Sequence, residues 1–342
     1  LTKTDRNNEI LSYGYDANGN RTSVSADGLV TRYAFDALNR LGSVTDAAGI
    51  TVHEYFKNGQ LKKLTHPDGT MATHAYDLAN RTASIENKKG AALISKYEYL
   101  YDPNGNRTQQ IETQGATVET TTYEYDTADR LTRTTYPDKQ VAHTYDAAGN
   151  RLTETESVGG TLVSAKLLTY DQRDRLLQIV DGANAANNAS FSWDENGNLI
   201  SKTEGGVAET YLYDAESRLV EVQRDGLLLE RYAYDADGLR IKKAGAAGVF
   251  RYVRDDGAVL LQTDDAGLTV ARYTWGADRL LSMQHATEGR QFALLDGMGS
   301  IVAWGRPDGS LALRRSFDAW GNVRSEVGAS AAPFGFTGHE LD

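Results

Sequence analysis

An aromatic residue followed by aspartate returns every twenty to twenty-five residues from one end of the chain to the other. Clear copies are Tyr15-Asp16, Phe35-Asp36, Tyr76-Asp77, Tyr101-Asp102, Tyr125-Asp126, Tyr145-Asp146, Tyr170-Asp171, Trp193-Asp194, Tyr213-Asp214, Tyr234-Asp235 and Phe317-Asp318. Degenerate copies at Tyr55-Phe56, Asp256, Trp275-Gly276 and Asp296 keep the phase. A period that survives fourteen steps is an architecture, in which each unit packs mainly on its neighbours. It overrides the two or three domains that 342 residues would otherwise suggest.

Within each period lies a second turn signal near the midpoint, such as Asp27-Gly28, Asp68-Gly69, Gly159-Gly160, Gly205-Gly206, Asp225-Gly226 and Asp308-Gly309. These pairs supply the positive φ angles of tight hairpins. At the Tyr-Asp end, a glycine often follows the aspartate by three positions, as at Gly19, Gly105, Gly149, Gly197, Gly238 and Gly321. An Asp that opens a turn accepts a hydrogen bond from the amide two residues on, so it staples the corner. Incoming strands alternate, with Tyr33 and Phe35, or Tyr232 and Tyr234, two apart and therefore on one face. Each unit reads as strand, turn, strand, turn, and the fold class as all-β: tandem hairpins of about twenty residues in one long antiparallel sheet. Strands of about seven residues make a ribbon roughly 23 Å wide, and about thirty of them extend roughly 140 Å. Twist curls a sheet that large into a spiral, which also hides its edges.

Composition agrees and excludes. Nineteen Tyr against eight Phe and three Met favour a half-buried pleated surface. All five prolines, among them Pro103 and Pro137, fall in turn segments, as a sheet requires. A net charge of -11 argues against nucleic acid as partner. No apolar run reaches membrane-spanning length and no signal-peptide pattern opens the chain, whose first residue is Leu1; this points to an excerpt of a longer protein. With no cysteine, neither disulfides nor thiolate metal sites hold the fold.

The pattern Tyr-Asp-x-x-Gly-Asn-Arg-Leu, complete at Tyr145 to Leu152, resembles the Rhs/YD-repeat family of bacterial polymorphic toxins, insecticidal toxin-complex subunits and animal teneurins. So does the C-terminal stretch: Asp296 to Gly299, then Phe317-Asp318-Ala319-Trp320-Gly321, then Pro333-Phe334-Gly335-Phe336-Thr337-Gly338. The resemblance implies a β-sheet spiralling into a hollow shell around a C-terminal toxin polypeptide. On that basis residues 1–290 are expected to form the repeat spiral and residues 291–342 the last repeats leading into the family's core segment. Implied partners are the enclosed toxin, the remaining shell segments, and secretion-system or toxin-complex components. The implied location is the bacterial exterior or cell surface. In many family members a self-cleaving aspartyl segment follows the Phe-Gly-Phe-Thr-Gly motif; this chain stops at Asp342 before it, so a scaffold rather than an enzyme is expected.

Sharper readings of single residues compete with plainer ones. Asp-x-Asn-Gly-Asn at Asp16, Asp102 and Asp194 suggests a calcium loop, but its glycine is at position four and its twelfth residues are Asp27, Thr113 and Gly205 instead of Glu. Plain turns explain it better. The histidines at 53, 66, 74, 143, 285 and 339 lack metal-ligand spacing and read as strand residues. Adjacent carboxylates at Asp255-Asp256 and Asp264-Asp265 would diverge to opposite faces of a strand. Asp181 to Ser190 reads as a protruding loop. No cofactor is expected. Rows of exposed aromatics, including Trp193, Trp275, Trp304 and Trp320, keep open a second function: a surface recognition module that binds carbohydrate or protein ligands.

Overall fold

A computed structural model describes residues 2–4 and 10–340. These residues form thirty-one strands and two short 3-10 turns, and all the strands belong to one sheet. Successive strands pair antiparallel, as Ile10–Tyr15 does with Arg21–Ala26 and the latter with Leu29–Phe35. At the aromatic that ends a strand the register slips by one residue: between Gly14 and Tyr15, Thr144 and Tyr145, and Ser316 and Phe317 alike. The slip comes from the loop chemistry. In Asp16 to Asn20, the Gly19 amide bonds the Asp16 carbonyl and the Asp16 amide bonds the Asn20 carbonyl, a type I turn closed by one left-handed residue, which forms a bulge. Midpoint turns are tighter. Asp27 and Gly28 both take positive φ, 48° and 70°, the mirror-image turn that matches strand twist.

Two compact units arise from this chain, and one is discontinuous in sequence: Leu1–Glu98, Glu112–Val118 and Phe250–Asp342. In it the N-terminal strands bury alternate residues, as in Gly49–Tyr55, where Thr51 and His53 are buried while Ile50 and Val52 are exposed. Several of its C-terminal strands are instead buried on both faces, although the last, Val323–Gly328, is largely exposed. Ile301–Gly305 is buried throughout, and so are Leu280, Leu281, Ser282 and Met283. The reason is layering. Leu11, Val24, Tyr33, Val44 and Leu64 pack with Val253, Leu260, Leu261 and Leu281 in one core. Tyr252, Tyr273, Leu280, Met283 and Trp304 pack with Ala332 and Phe334 in another. Strands covered on both sides read as near-continuous apolar runs, and Ile301-Val302-Ala303-Trp304 is such a run.

The other unit comprises Tyr99–Ile111 and Glu119–Val249. Its incoming strands alternate between half-buried and exposed, as in Val207–Tyr213, where Glu209, Tyr211 and Tyr213 are half-buried and Ala208, Thr210 and Leu212 exposed, while Arg151–Val158 and Arg240–Gly245 are half-buried nearly throughout. Asp181 to Ser190 is mostly exposed, and one buried carboxylate anchors it. Asp181 is buried at the end of its strand and accepts bonds from Ser164 Oγ, Asn187 Nδ2 and the amides of Ala165, Ala183 and Asn184. A carboxylate so placed organises the loop around itself, and these donors, led by the Ala165 amide, hold its pKa far below the usual carboxylate range.

Candidate functional site: the repeated corner and the aromatic face

Every clear aromatic of the repeat is the last residue of its strand, from Tyr15, Tyr76, Tyr101 and Tyr125 through Tyr170, Trp193, Tyr213 and Tyr234 to Phe317. The following Asp turns its carboxylate back over its own loop. One oxygen of Asp16 accepts the amides of Asn18 and Asn20, both at 2.9 Å, and the other accepts Asn20 Nδ2 at 2.9 Å. Asp102, Asp146, Asp194 and Asp318 bond the Asn four residues on in the same way. At Asp77, Asp126, Asp171 and Asp214 an arginine holds that place, its Nε 2.7 Å from the second oxygen. Leu239 leaves Asp235 with backbone donors alone. Side-chain bonds from Asn20 and Asn150 lower the pKa of Asp16 and Asp146, as backbone bonds from Arg130 and Arg175 do for Asp126 and Asp171. These carboxylates face N–H donors, which is the opposite of a cation site.

Where glycine is missing at the left-handed position, Asn39, Asn80, Asp129, Asp174 and Ser217 take φ between 57° and 64°. Such residues tolerate that conformation best after glycine. Their side chains also receive the neighbouring corner: Asn20 Nδ2 reaches Asn39 Oδ1 at 3.0 Å, and Asn150 Nδ2 reaches Asp174 Oδ1 at 2.8 Å. The arginine corners reach further. Arg130 and Arg175 donate to the carbonyls of Asp146 and Asp194, both at 2.8 Å, and Arg130 lies over the Tyr145 ring at 4.9 Å. The aromatic has a matching role. Tyr125, Tyr145, Tyr170, Tyr213 and Tyr234 donate their hydroxyls to the carbonyls of Arg107, Leu131, Arg151, Leu199 and Leu219 in the preceding repeat, and Trp193 uses its indole N–H on Leu176. Burial raises the Tyr145 and Tyr170 phenols above their ordinary value, so they remain donors.

Not every copy obeys. Asp256 lies in a two-residue turn closed by the Asp255 and Ala258 pair, while Asp264, at the opposite end of that hairpin, makes the five-residue corner. The expectation that Asp255 and Asp256 share one strand therefore fails. Asp255 is buried and accepts Tyr13 Oη at 3.1 Å and the Arg21 guanidinium.

The Tyr-bearing face also carries paired charges in the second unit. Glu154 stands opposite His143 and Lys166, with Lys166 Nζ at 2.9 Å and the Arg151 guanidinium at 2.9 Å. Lys139 meets Glu156 at 3.0 Å, Arg224 meets Glu209 at 2.7 Å and Lys243 meets Glu230 at 2.8 Å. Tyr211 and Tyr232 donate to Glu209 and Glu230. The result is a half-open aromatic surface whose charges are mutually satisfied.

The C-terminal motif forms a plug in the first unit. Asp296 accepts the amides of Met298 and Ser300 at 2.9 Å, and Gly299 takes a φ of 84°. Ser300 Oγ accepts the Thr337 amide at 3.1 Å, and the Ile301 amide bonds the Gly335 carbonyl at 2.9 Å. Phe334 is 2% exposed, edge-on to Tyr273 and Trp275 at 5.2 and 5.6 Å. Phe336 meets Phe317 at 5.5 Å and covers Gly321 so closely that a Cβ there would fall 2.6 Å from its ring. Pro333 leads into this segment and Gly338 ends it, its amide on the Gly335 carbonyl. Sequence reasoning singled out the motif without its partners, which lie from 15 residues away at Gly321 to 61 at Tyr273; the aromatic spacing carried no sign of them.

The Teneurin YD-shell family model matches residues 7–342. Among curated proteins, the tRNA3(Ser)-specific nuclease WapA of Bacillus spizizenii is 27% identical over 276 residues, covering 66% of this chain and 11% of the relative. The double-stranded DNA deaminase toxin A of Burkholderia cenocepacia is 28% identical over 207 residues, 58% of this chain and 14% of the relative. The chain thus spans a small part of these proteins. Among solved structures, the Tc holotoxin pore of Photorhabdus luminescens superposes with a TM-score of 0.78 at 18% identity, over 98% of this chain and 19% of that one. The TcdB2-TccC3-TEV crystal structure gives 0.55 at 13% identity, over 100% and 24%. Both share the fold.

Proposed function

We propose, because this chain belongs to the teneurin YD-shell family, that it is a non-enzymatic scaffold: part of the wall of a β-shell that encloses a toxin polypeptide outside the bacterial cell or at its surface. The observation that carries the reading is the half-open face of the second unit. Tyr211, Glu154 and Glu209 find their partners within the sheet, so these groups make no demand on a neighbouring polypeptide, and a wall of this kind holds a chain without folding it. The repeat anchors, Tyr145, Asp146 and Gly149 and their equivalents, serve in this reading to keep the wall continuous, and residues 291–342 to close its end. Names of relatives that denote nuclease and deaminase toxins fit a cargo carried beside the shell. The test is limited proteolysis of the longer natural protein containing this chain. The toxin portion should resist proteinase until the repeats unfold, and digestion at the rate of the isolated toxin would overturn the proposal.

A further inference from the structure

Three histidines in consecutive strands of the first unit face the same covering layer. His53 lies in Gly49–Tyr55, His66 just after Leu61–Thr65, and His74 in Thr70–Tyr76. His53 Nε2 would be 3.7 Å from a Cβ on Gly276. The His66 ring is 4.9 Å from that of Phe292, and His74 lines a cleft with Trp275, Asp278, Arg279 and Leu295. His66 is 2% exposed and neither ring nitrogen has a hydrogen-bond partner among the described residues; His53 Nδ1 is likewise unpartnered. A buried polar group without a partner costs free energy in the closed state, and a histidine recovers it by meeting water and, below neutral pH, a proton.

The same seam is held by charges far apart in sequence. Asp255 joins Tyr13 and Arg21, Asp46 joins Thr274 and Arg290 at 2.6 and 2.7 Å, and Arg272 joins Asp27. We propose that this seam is an acid-released clasp: when the layers part, His53, His66 and His74 take up protons that hold them apart, while the ion pairs keep the layers together near neutral pH.

Charged neighbours do not cancel the effect. Asp278 and Arg279 face both His53 and His74, and Asp68, Asp46 and Arg290 face His66; Lys89 already engages Asp68 at 3.0 Å. Burial is the largest influence on all three rings and lowers each from 6.5 to about 4. A group depressed in the closed form binds more protons when open, so the histidines weaken the clasp as pH falls from 6.5 towards 4 and add nothing further below that. Between pH 7 and 5 the opening constant rises about twentyfold per histidine, on the order of ten-thousandfold for three acting together. The inference does not depend on the shell proposal.

Hydrogen exchange of the full chain, corrected for intrinsic rates, tests it. Between pH 7 and 5 the strands Gly49–Tyr55, Thr70–Tyr76 and Thr269–Trp275 should lose protection by about two orders of magnitude or more, while Thr161–Tyr170 and Val207–Tyr213 keep theirs. The triple variant His53→Gln, His66→Phe, His74→Gln should flatten the response. If it does not fold, the single variant His74→Gln should reduce the pH slope by about one proton. An unchanged parent, an equal loss in all five strands, or a variant slope equal to the parent's would each overturn the proposal.

Discussion

Phe334→Ala should unlock the first unit. The side chain is 2% exposed and packs edge-on against Tyr273 and Trp275, inside a core that also holds Trp304 and Leu313. Truncating a buried Phe costs about 3–5 kcal/mol, a range that includes the loss of edge-to-face pairs worth about 0.5–1.5 kcal/mol each. With a urea slope of about 2–3 kcal/mol per molar, the midpoint should fall by about 1.5 M. The chain has four tryptophans, and a Trp193→Tyr background leaves Trp275, Trp304 and Trp320, all in the first unit, to report by fluorescence. Phe334→Leu keeps most of the volume and should move the midpoint by about 0.5 M or less. If Phe334→Ala unfolds within about 0.3 M of the parent, the motif is not a plug and the reasoning fails.

Tyr145→Phe removes only the hydroxyl bond to Leu131, 2.6 Å long, and should cost about 1 kcal/mol; equal urea midpoints for variant and parent would show that the inter-repeat bond adds nothing. Gly149 and Gly321 share positive φ, 97° and 92°, but a Cβ meets open space at the first and the Phe336 ring at the second. Ala at 149 should therefore cost about 1–2 kcal/mol of backbone strain and Ala at 321 clearly more, ranked by thermal melts; the reverse order would refute the packing. Burial pushes the Asp46 carboxyl up, but the Thr274 bond and the Arg290 guanidinium outweigh it and hold it below its ordinary value. Its stabilisation is thus present above pH 3.8 and lost as pH falls through the lower folded value. Asp46→Asn should lower the urea midpoint at pH 7 and narrow the gap to the parent in stronger acid.

Much of the corner was legible because its chemistry is local. Asp16 and Asn20 are four residues apart, and the positive φ they enclose is a demand that Gly19 meets by itself. Asn39 and Ser217 meet the same demand less visibly, which is why the glycine rule alone misses their corners and those of Asn80, Asp129 and Asp174. The Asp256 copy misled because phase was kept while the loop moved to Asp264. Asp181 to Ser190 is exposed along most of its length, as a protruding loop should be, but spacing gave no sign that the buried Asp181 would tie it down. The histidines looked like ordinary strand residues, and nothing in their spacing shows that His66 is enclosed without a partner.

By itself the sequence determined the strands, the corners and the face on which each tyrosine lies, since a two-residue alternation and a five-residue loop are settled within one hairpin. Which hairpins are covered was decided by tertiary structure. Tyr13 meets Asp255 across 242 residues, and Asp46 meets Arg290 across 244; such contacts depend on how twist accumulates over many strands, a quantity no single repeat contains. Hence near-identical units end as a buried double layer in one part of the chain and a half-open face in another.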